Sequence, residues 1–184
     1  HVLLLNGGGN PSSNYQSHLL HVKHLRELLL ARGVIPQQMS YFTSDGADPA
    51  PDLAVRDVQP ESDFWLLEGT RLEGRLRTPM MQVSSWIPGV DLRPATKASL
   101  SAWFREARTR LGAGDILLLY VTDHGTQNGP DPLMNRITLW SETAGKGTEK
   151  DHLNVAELSS MLDELDPSVR VVTLMSQCFS GAFA

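Results

Sequence analysis

The chain holds one cysteine, Cys178, in 184 residues, so no internal disulfide can form and the thiol needs its own reason to be present. Its apolar runs fall far short of the roughly 20 residues that a membrane helix requires. Lys/Arg clusters and interleaved basic and aromatic residues are missing, and the net charge is -5, which argues against a nucleic-acid groove. Internal repeats, low-complexity tracts and a composition break between domains are absent as well. The third glycine of a dinucleotide fingerprint is missing: Pro11-Ser12-Ser13 stands where it would follow Gly7-Gly8-Gly9. The Gly-Lys-Ser/Thr of a P-loop is also missing, so the glycines read as a flexible turn leading to a substrate-facing loop.

What is present fits one globular domain over 1–184, long enough for a real core, with 41% apolar and 20% charged residues. Residues 2–6 read as a first buried strand. A helix is predicted over 15–32, with Leu19, Val22, Leu25 and Leu29 on one face and Gly33 as its stop. A weaker strand follows at 34–43, then a Gly/Asp/Pro-rich loop and a short apolar stretch at 64–67. Residues 69–94 show no period and read as an irregular excursion. Pro94 suits the first turn of a helix carrying Leu100, Trp103, Phe104, Ala107 and Leu111, ended by Gly112-Ala-Gly114. A strand is predicted at 115–122 and a short arm at 136–140. Asn154 with Glu157 forms a capping-box pattern before a helix with Leu158, Met161, Leu162 and Leu165. A last strand covers 169–175. Strands alternating with helices in this order predict an α/β sandwich with a mainly parallel sheet covered on both faces.

Two segments carry the chemistry. Leu117-Leu-Leu-Tyr-Val-Thr-Asp-His-Gly125 and Val171-Val-Thr-Leu-Met-Ser-Gln-Cys-Phe-Ser-Gly181 are apolar runs that break off into small and reactive residues. Buried parallel strands end this way, and ligands of open α/β sheets bind beyond such ends. A free thiol is only a few per cent thiolate at neutral pH, and a neighbouring imidazole supplies the reactive form. Cys178 therefore reads as a nucleophile and His124 as its base. The amides of Gly125 and Cys178 are placed to hold an oxyanion. The bland alternative is a small buried Cys and a core His.

His18, His21 and His24 recur every three residues. That spacing walks about 60° around a helix per step, so the three do not share a face, and no metal or cofactor is expected. His18 lies in the first turn after the loop and can still reach the cleft. Arg105, Arg108 and Arg110 read as a solvated flank, and Trp140 and Trp86 as packing residues, with Trp140 also able to wall a pocket.

The chain resembles the caspase-like cysteine peptidases, nearest the legumain branch. The resemblance rests on Thr122-Asp-His-Gly125, Ser176-Gln-Cys-Phe-Ser-Gly181 and the pair Asn14-Tyr15 after the first strand. Caspases carry their His about 50 residues before the Cys, so the separation of 54 here is consistent with the pattern and adds nothing independent. The resemblance implies a caspase-like three-layer α/β/α sandwich and a cysteine endopeptidase working through an acyl-thioester. It implies Cys178 as nucleophile, His124 as base and then acid, Asn14 as the group holding the imidazole, and Asp123 as a supporting residue. Gln16, Ser17 and Ser176 match the positions that select the substrate residue before the cleaved bond, and they leave no formal charge there. Selection for Asp, Arg or Lys at that position is therefore not expected.

The chain starts at His1, without Met and inside an apolar run, which reads as a processed or trimmed product. It stops six residues past Cys178, and the resemblance implies further C-terminal strands, as a separate fragment or small subunit of the same precursor. Other expected partners are peptide or protein substrates, with neither nucleic acid nor membrane. A single functional thiol fits a cytoplasmic setting. Two other functions compete: a caspase-like scaffold with a vestigial pair, and a Rossmann-like nucleotide binder using the glycine turn.

Overall fold

The computed structural model describes residues 1–56, 71, 80–141 and 152–183. Its centre is a five-stranded, wholly parallel sheet in the order β10-β6-β1-β2-β5. These strands are β1 (Val2–Asn6), β2 (Met39–Thr43), β5 (Leu92–Arg93), β6 (Ile116–Val121) and β10 (Arg170–Met175). A two-stranded antiparallel ribbon joins β3 (Leu53–Arg56) to β4 (Met80–Val83). A second antiparallel sheet runs β7 (Gly125–Thr126), β8 (Arg136–Thr138) and β9 (His152–Asn154).

Helices cover both faces, which gives the three-layer α/β/α sandwich expected from the strand–helix alternation. Helix α1 (Gln16–Ala31) packs Leu19 and Val22 on Val2, Leu4, Met39 and Tyr41. On the other face, α2 (Lys97–Arg110) and α3 (Val155–Asp163) bury Leu100, Trp103, Phe104 and Leu158 against Leu3, Leu5, Phe42, Leu117 and Leu119. Alternate residues of one strand thus feed two separate cores, which is why β1 is apolar from Val2 to Leu5. The Lys97–Glu157 pair at 2.6 Å ties α2 to α3.

Local signals account for most boundaries. The Asn154–Glu157 capping box closes both ways, at 2.8 and 2.9 Å. Helix α2 starts later than Pro94 suggests, because the Thr96 hydroxyl accepts the Ser99 N–H at 3.2 Å and sets the cap there. Within 34–43, Pro36–Gln38 forms a 3₁₀ turn and only Met39–Thr43 pairs as a strand. The stretch at 64–67 and part of the 69–94 excursion lie outside the described residues. β10 departs from the expectation of a fully buried strand: it is an edge strand, and Val172 and Leu174 are exposed. Apolar content alone does not separate an interior strand from an edge.

The topology places the site. From β1 the chain steps outward through β2 to β5, then returns to the opposite side of β1 as β6 and continues to β10. The strand order therefore reverses between β1 and β6, and the crevice beyond their C-terminal ends is where such sheets bind ligands. Among the described residues no helix is long and apolar enough to cross a membrane.

Candidate active site

Three chain segments meet in that crevice: residues 7–15 after β1, 122–125 after β6, and 176–178 after β10. The β6 ladder carries on past its last strand residue, with Thr122 N donating to Leu5 O at 3.0 Å and Ser176 N to Val121 O at 2.9 Å. His124 and Cys178 thus leave neighbouring parallel strands at the same end.

Asp123 locks the β1 and β6 exits together. Its buried carboxylate accepts the backbone N–H groups of Gly7, of Gly8 at 3.0 Å and of His124 at 2.6 Å. Burial pushes its pKa up to about 7, against three N–H donors that pull it back down. Three donors can be satisfied together only by an acceptor, so the ionised form is the one this cradle fits. The contact also explains the glycine turn. A Cβ on Gly7 would lie 2.2 Å from Thr138 O and 2.7 Å from Asp123 Oδ2. Gly8 and Gly9 hold φ of +68° and +78°, where only glycine sits without strain. The turn is a packed joint and not a flexible one.

The imidazole of His124 is held by the backbone. Its Nε2 lies 2.8 Å from the carbonyl oxygen of Ser13, an acceptor only, so Nε2 carries the hydrogen. In the neutral ring the lone pair is then on Nδ1. Tyr15 meets the same ring edge-on at 5.4 Å between centroids, and His18 does so at 5.1 Å. His18 and His21 both direct Nδ1 at Thr122 Oγ1, at 3.2 and 3.0 Å. Two of the three periodic histidines therefore converge on one hydroxyl, while His24 is exposed elsewhere on α1. Partial burial, followed by the charges of His124 and His21, lowers the His18 pKa to about 4, so it is a neutral wall of the crevice.

Asn14, expected to orient the imidazole, is spent otherwise. It is fully buried; its Oδ1 accepts from Asn6 Nδ2 at 3.0 Å, and its Nδ2 donates to Ser44 Oγ at 2.7 Å and Asp52 O at 2.9 Å. It anchors the loop, and the neighbouring Ser13 carbonyl holds the ring. No side-chain pattern reveals a backbone acceptor, so Ser13 was not legible in the sequence.

Cys178 is exposed, with its thiol free. Gly125 lies directly on its backbone: a Cβ at Gly125 would stand 2.0 Å from Cys178 O and 3.0 Å from Gln177 Cγ. Gly125 faces Ile137, and the adjoining bond runs from Thr138 N to His124 O. That makes Gly125 a non-hydrogen-bonded pair, whose N–H points away from β8 and is not consumed by the ladder. Phe179 follows Cys178 in the left-handed region, at φ +59°.

The remaining expected substrate residues divide. Gln16 and Ser17 are exposed on the first turn of α1. Ser176 donates its hydroxyl to Val121 O at 2.8 Å. Trp140 is a core residue, 6% exposed and clustered with Leu139, Phe104 and Leu153, so it does not wall the crevice. Gln177, which the sequence did not single out, is buried beside Gly125 with both carboxamide atoms unpartnered. Among the described residues no group of three or more His, Cys, Asp or Glu side chains is arranged to hold a metal ion.

No family model matches the sequence, and no curated protein matches it. Among solved structures the chain is similar to protein GSU0716 from Geobacter sulfurreducens, at 26% identity over 46% of this chain and with a TM-score of 0.36. That match spans 31% of the GSU0716 chain, and at this level it carries no weight for fold or function.

Proposed function

We propose that the chain is a cysteine endopeptidase of caspase-like type, with Cys178 as nucleophile and His124 as general base. The observation that carries this reading is the Ser13 contact. By holding the hydrogen on Nε2, it leaves Nδ1 as the basic nitrogen of an imidazole at the same sheet end as the one free thiol.

In this mechanism Nδ1 takes the thiol proton as Sγ attacks the scissile carbonyl carbon. The oxyanion that forms is met by the N–H groups of Gly125 and Cys178. The C–N bond then breaks, the leaving amine takes the proton from Nδ1, and an acyl-thioester remains. Water, deprotonated by the same nitrogen, attacks the thioester; the acid product departs and the thiol is restored. Asp123 acts only by fixing the glycine joint and the His124 backbone. The peptide lies along the crevice against Tyr15, His18 and the exposed Gln16 and Ser17, none of which brings a fixed charge. The exposed apolar edge formed by Val172, Leu174 and Phe179 supports the further proposal that another polypeptide, a C-terminal fragment of the same precursor, completes the cleft beside β10.

The test is labelling with an irreversible thiol-directed peptide inhibitor, beside Cys178→Ala and His124→Ala, followed by cleavage profiling on a peptide library. A single label lost in both variants, with library cleavage, is the expected result. A thiol that alkylates as slowly as free cysteine, unchanged in His124→Ala, defeats the reading and leaves a scaffold.

A further inference from the structure

A cavity of about 190 Å³ lies between α1, the start of β2 and the chain that leads into the two-residue edge strand β5. The first three residues of β2 line it, so it sits toward the N-terminal ends of the strands, away from the crevice that holds His124 and Cys178. The peptidase reading makes no use of it. An engineered protein cavity of about 150 Å³ accepts benzene, so this one has room for a small organic molecule.

The walls are of two kinds. Pro36, Met39 and Val90 supply apolar surface, and Arg26, Arg93 and Asp91 supply charge. Two guanidinium groups against one carboxylate leave one positive charge, on a chain whose net charge is -5. Arg26 is partly buried; its guanidinium hydrogen-bonds the Tyr41 hydroxyl, which donates on to Met39 Sδ at 3.1 Å. The head is thereby held against β2. Its Nε–H is buried with no partner, and among the described residues no carboxylate pairs with it.

Buried donors are nearly always matched by protein, water or a ligand. Water would satisfy Nε and leave the guanidinium charge unanswered, whereas a carboxylate answers both, through the two parallel N–H groups of the fork. Arg93 is not committed elsewhere. It lies 5.9 Å from the Phe42 ring centroid and 4.0 Å from the exposed Glu106, a contact worth little in water. A surplus of one charge matches a singly charged carboxylate better than a phosphate dianion, and the apolar wall matches a short hydrocarbon body.

We propose that this cavity binds a small organic monocarboxylate, with its carboxylate on the Arg26 guanidinium and its apolar body against Pro36, Met39 and Val90. Arg93 adds positive potential from the β5 wall. Bound there, the ligand ties α1 to the edge of the sheet. The site shares no residue with the thiol or the imidazole, so it stands or falls separately from the peptidase reading.

The full chain is titrated calorimetrically with sodium benzoate at constant ionic strength, beside its uncharged isostere benzamide and inorganic phosphate, and melting temperature is followed in parallel. Benzoate is expected to fill one site with a dissociation constant on the order of 1 mM, modest for so small a ligand. It should raise the melting temperature and shift the amide NMR signals of Gly89 and Val90, which line the cavity. Benzamide and Arg26→Gln should each weaken binding by about tenfold or more, as loss of a charged hydrogen bond does. Near-UV circular dichroism checks that Arg26→Gln folds. If it does not, Arg93→Gln, at a partly exposed edge position, decides, with a loss of about threefold expected from the missing charge. Absence of benzoate binding overturns the proposal, as do equal binding of benzamide, tighter binding of phosphate, or benzoate binding unchanged in the deciding variant.

Discussion

The carbonyl oxygen of Ser13 lies 2.8 Å from His124 Nε2, and this contact decides which imidazole nitrogen carries the hydrogen and which keeps its lone pair. A backbone acceptor cannot be removed by mutating its own side chain, so the ring orientation depends on how the 7–15 loop is anchored. Asn14, Gly7 and Asp123 do that anchoring, and none of them touches the thiol through any hydrogen bond.

His124→Ala is expected to lower the rate of peptide cleavage by about 100- to 10,000-fold, the usual contribution of a positioned general base. Melting temperature should stay near that of the parent, because the ring is only partly buried. Steady-state kinetics beside a thermal melt check both halves.

Asn14→Ala should act on stability first. It strands the Asn6 donor and the Asp52 carbonyl inside the protein, at roughly 2–4 kcal/mol in all. Urea unfolding measures this. A variant of unaltered stability that has lost only its turnover would restore the direct role on the imidazole that the sequence suggested.

Gly125→Ala places a methyl group 2.0 Å from the Cys178 carbonyl oxygen, and backbone on both sides cannot yield cheaply. We expect a loss of about 2–3 kcal/mol and a displaced thiol. Unfolding free energy and the alkylation rate of Cys178 report the two effects.

His18 gives the protein a specific pH dependence. Its folded pKa is lowered to about 4 from an ordinary 6.5, so between those values the unfolded chain binds more protons. Its contribution is complete above pH 6.5 and is lost as pH falls toward 4, on the order of 1–2 kcal/mol after allowing for its partial exposure. Unfolding free energies at pH 7 and pH 4.5 should differ less in His18→Phe than in the parent.

Phe179 sits at φ +59° with half its surface exposed, so backbone and not burial decides what is tolerated there. Phe179→Val should cost about 1–2 kcal/mol, since a β-branched residue fits the left-handed region poorly. Phe179→Gly should be no less stable than the parent. Thermal melts of the pair order them.

Where a residue's role depends on its own side chain and near neighbours in sequence, the reading from sequence held. The Asn154–Glu157 box, the Leu19/Val22 face and the position of His124 and Cys178 just beyond the ends of β6 and β10 are of this kind. Roles set by distant segments were not legible. Trp140 looked able to wall a pocket, yet its position beside Ala95, whose carbonyl accepts the Trp140 backbone N–H, seals it in the core. The His18/His21/Thr122 cluster escaped notice because Thr122 arrives from a strand about a hundred residues away.

By itself, then, the sequence determined the alternation of strands and helices, the parallel sandwich and the placement of His124 and Cys178 just past two strand ends, because periodicity and capping are local. Only the tertiary structure decided that β10 is an edge, that Asp123 clasps the glycine joint, and that Ser13 rather than Asn14 meets the imidazole. Each of these depends on the order in which strands lie side by side. That order is chosen by burying both faces of one sheet at once, a condition on the whole chain and on no single stretch of it.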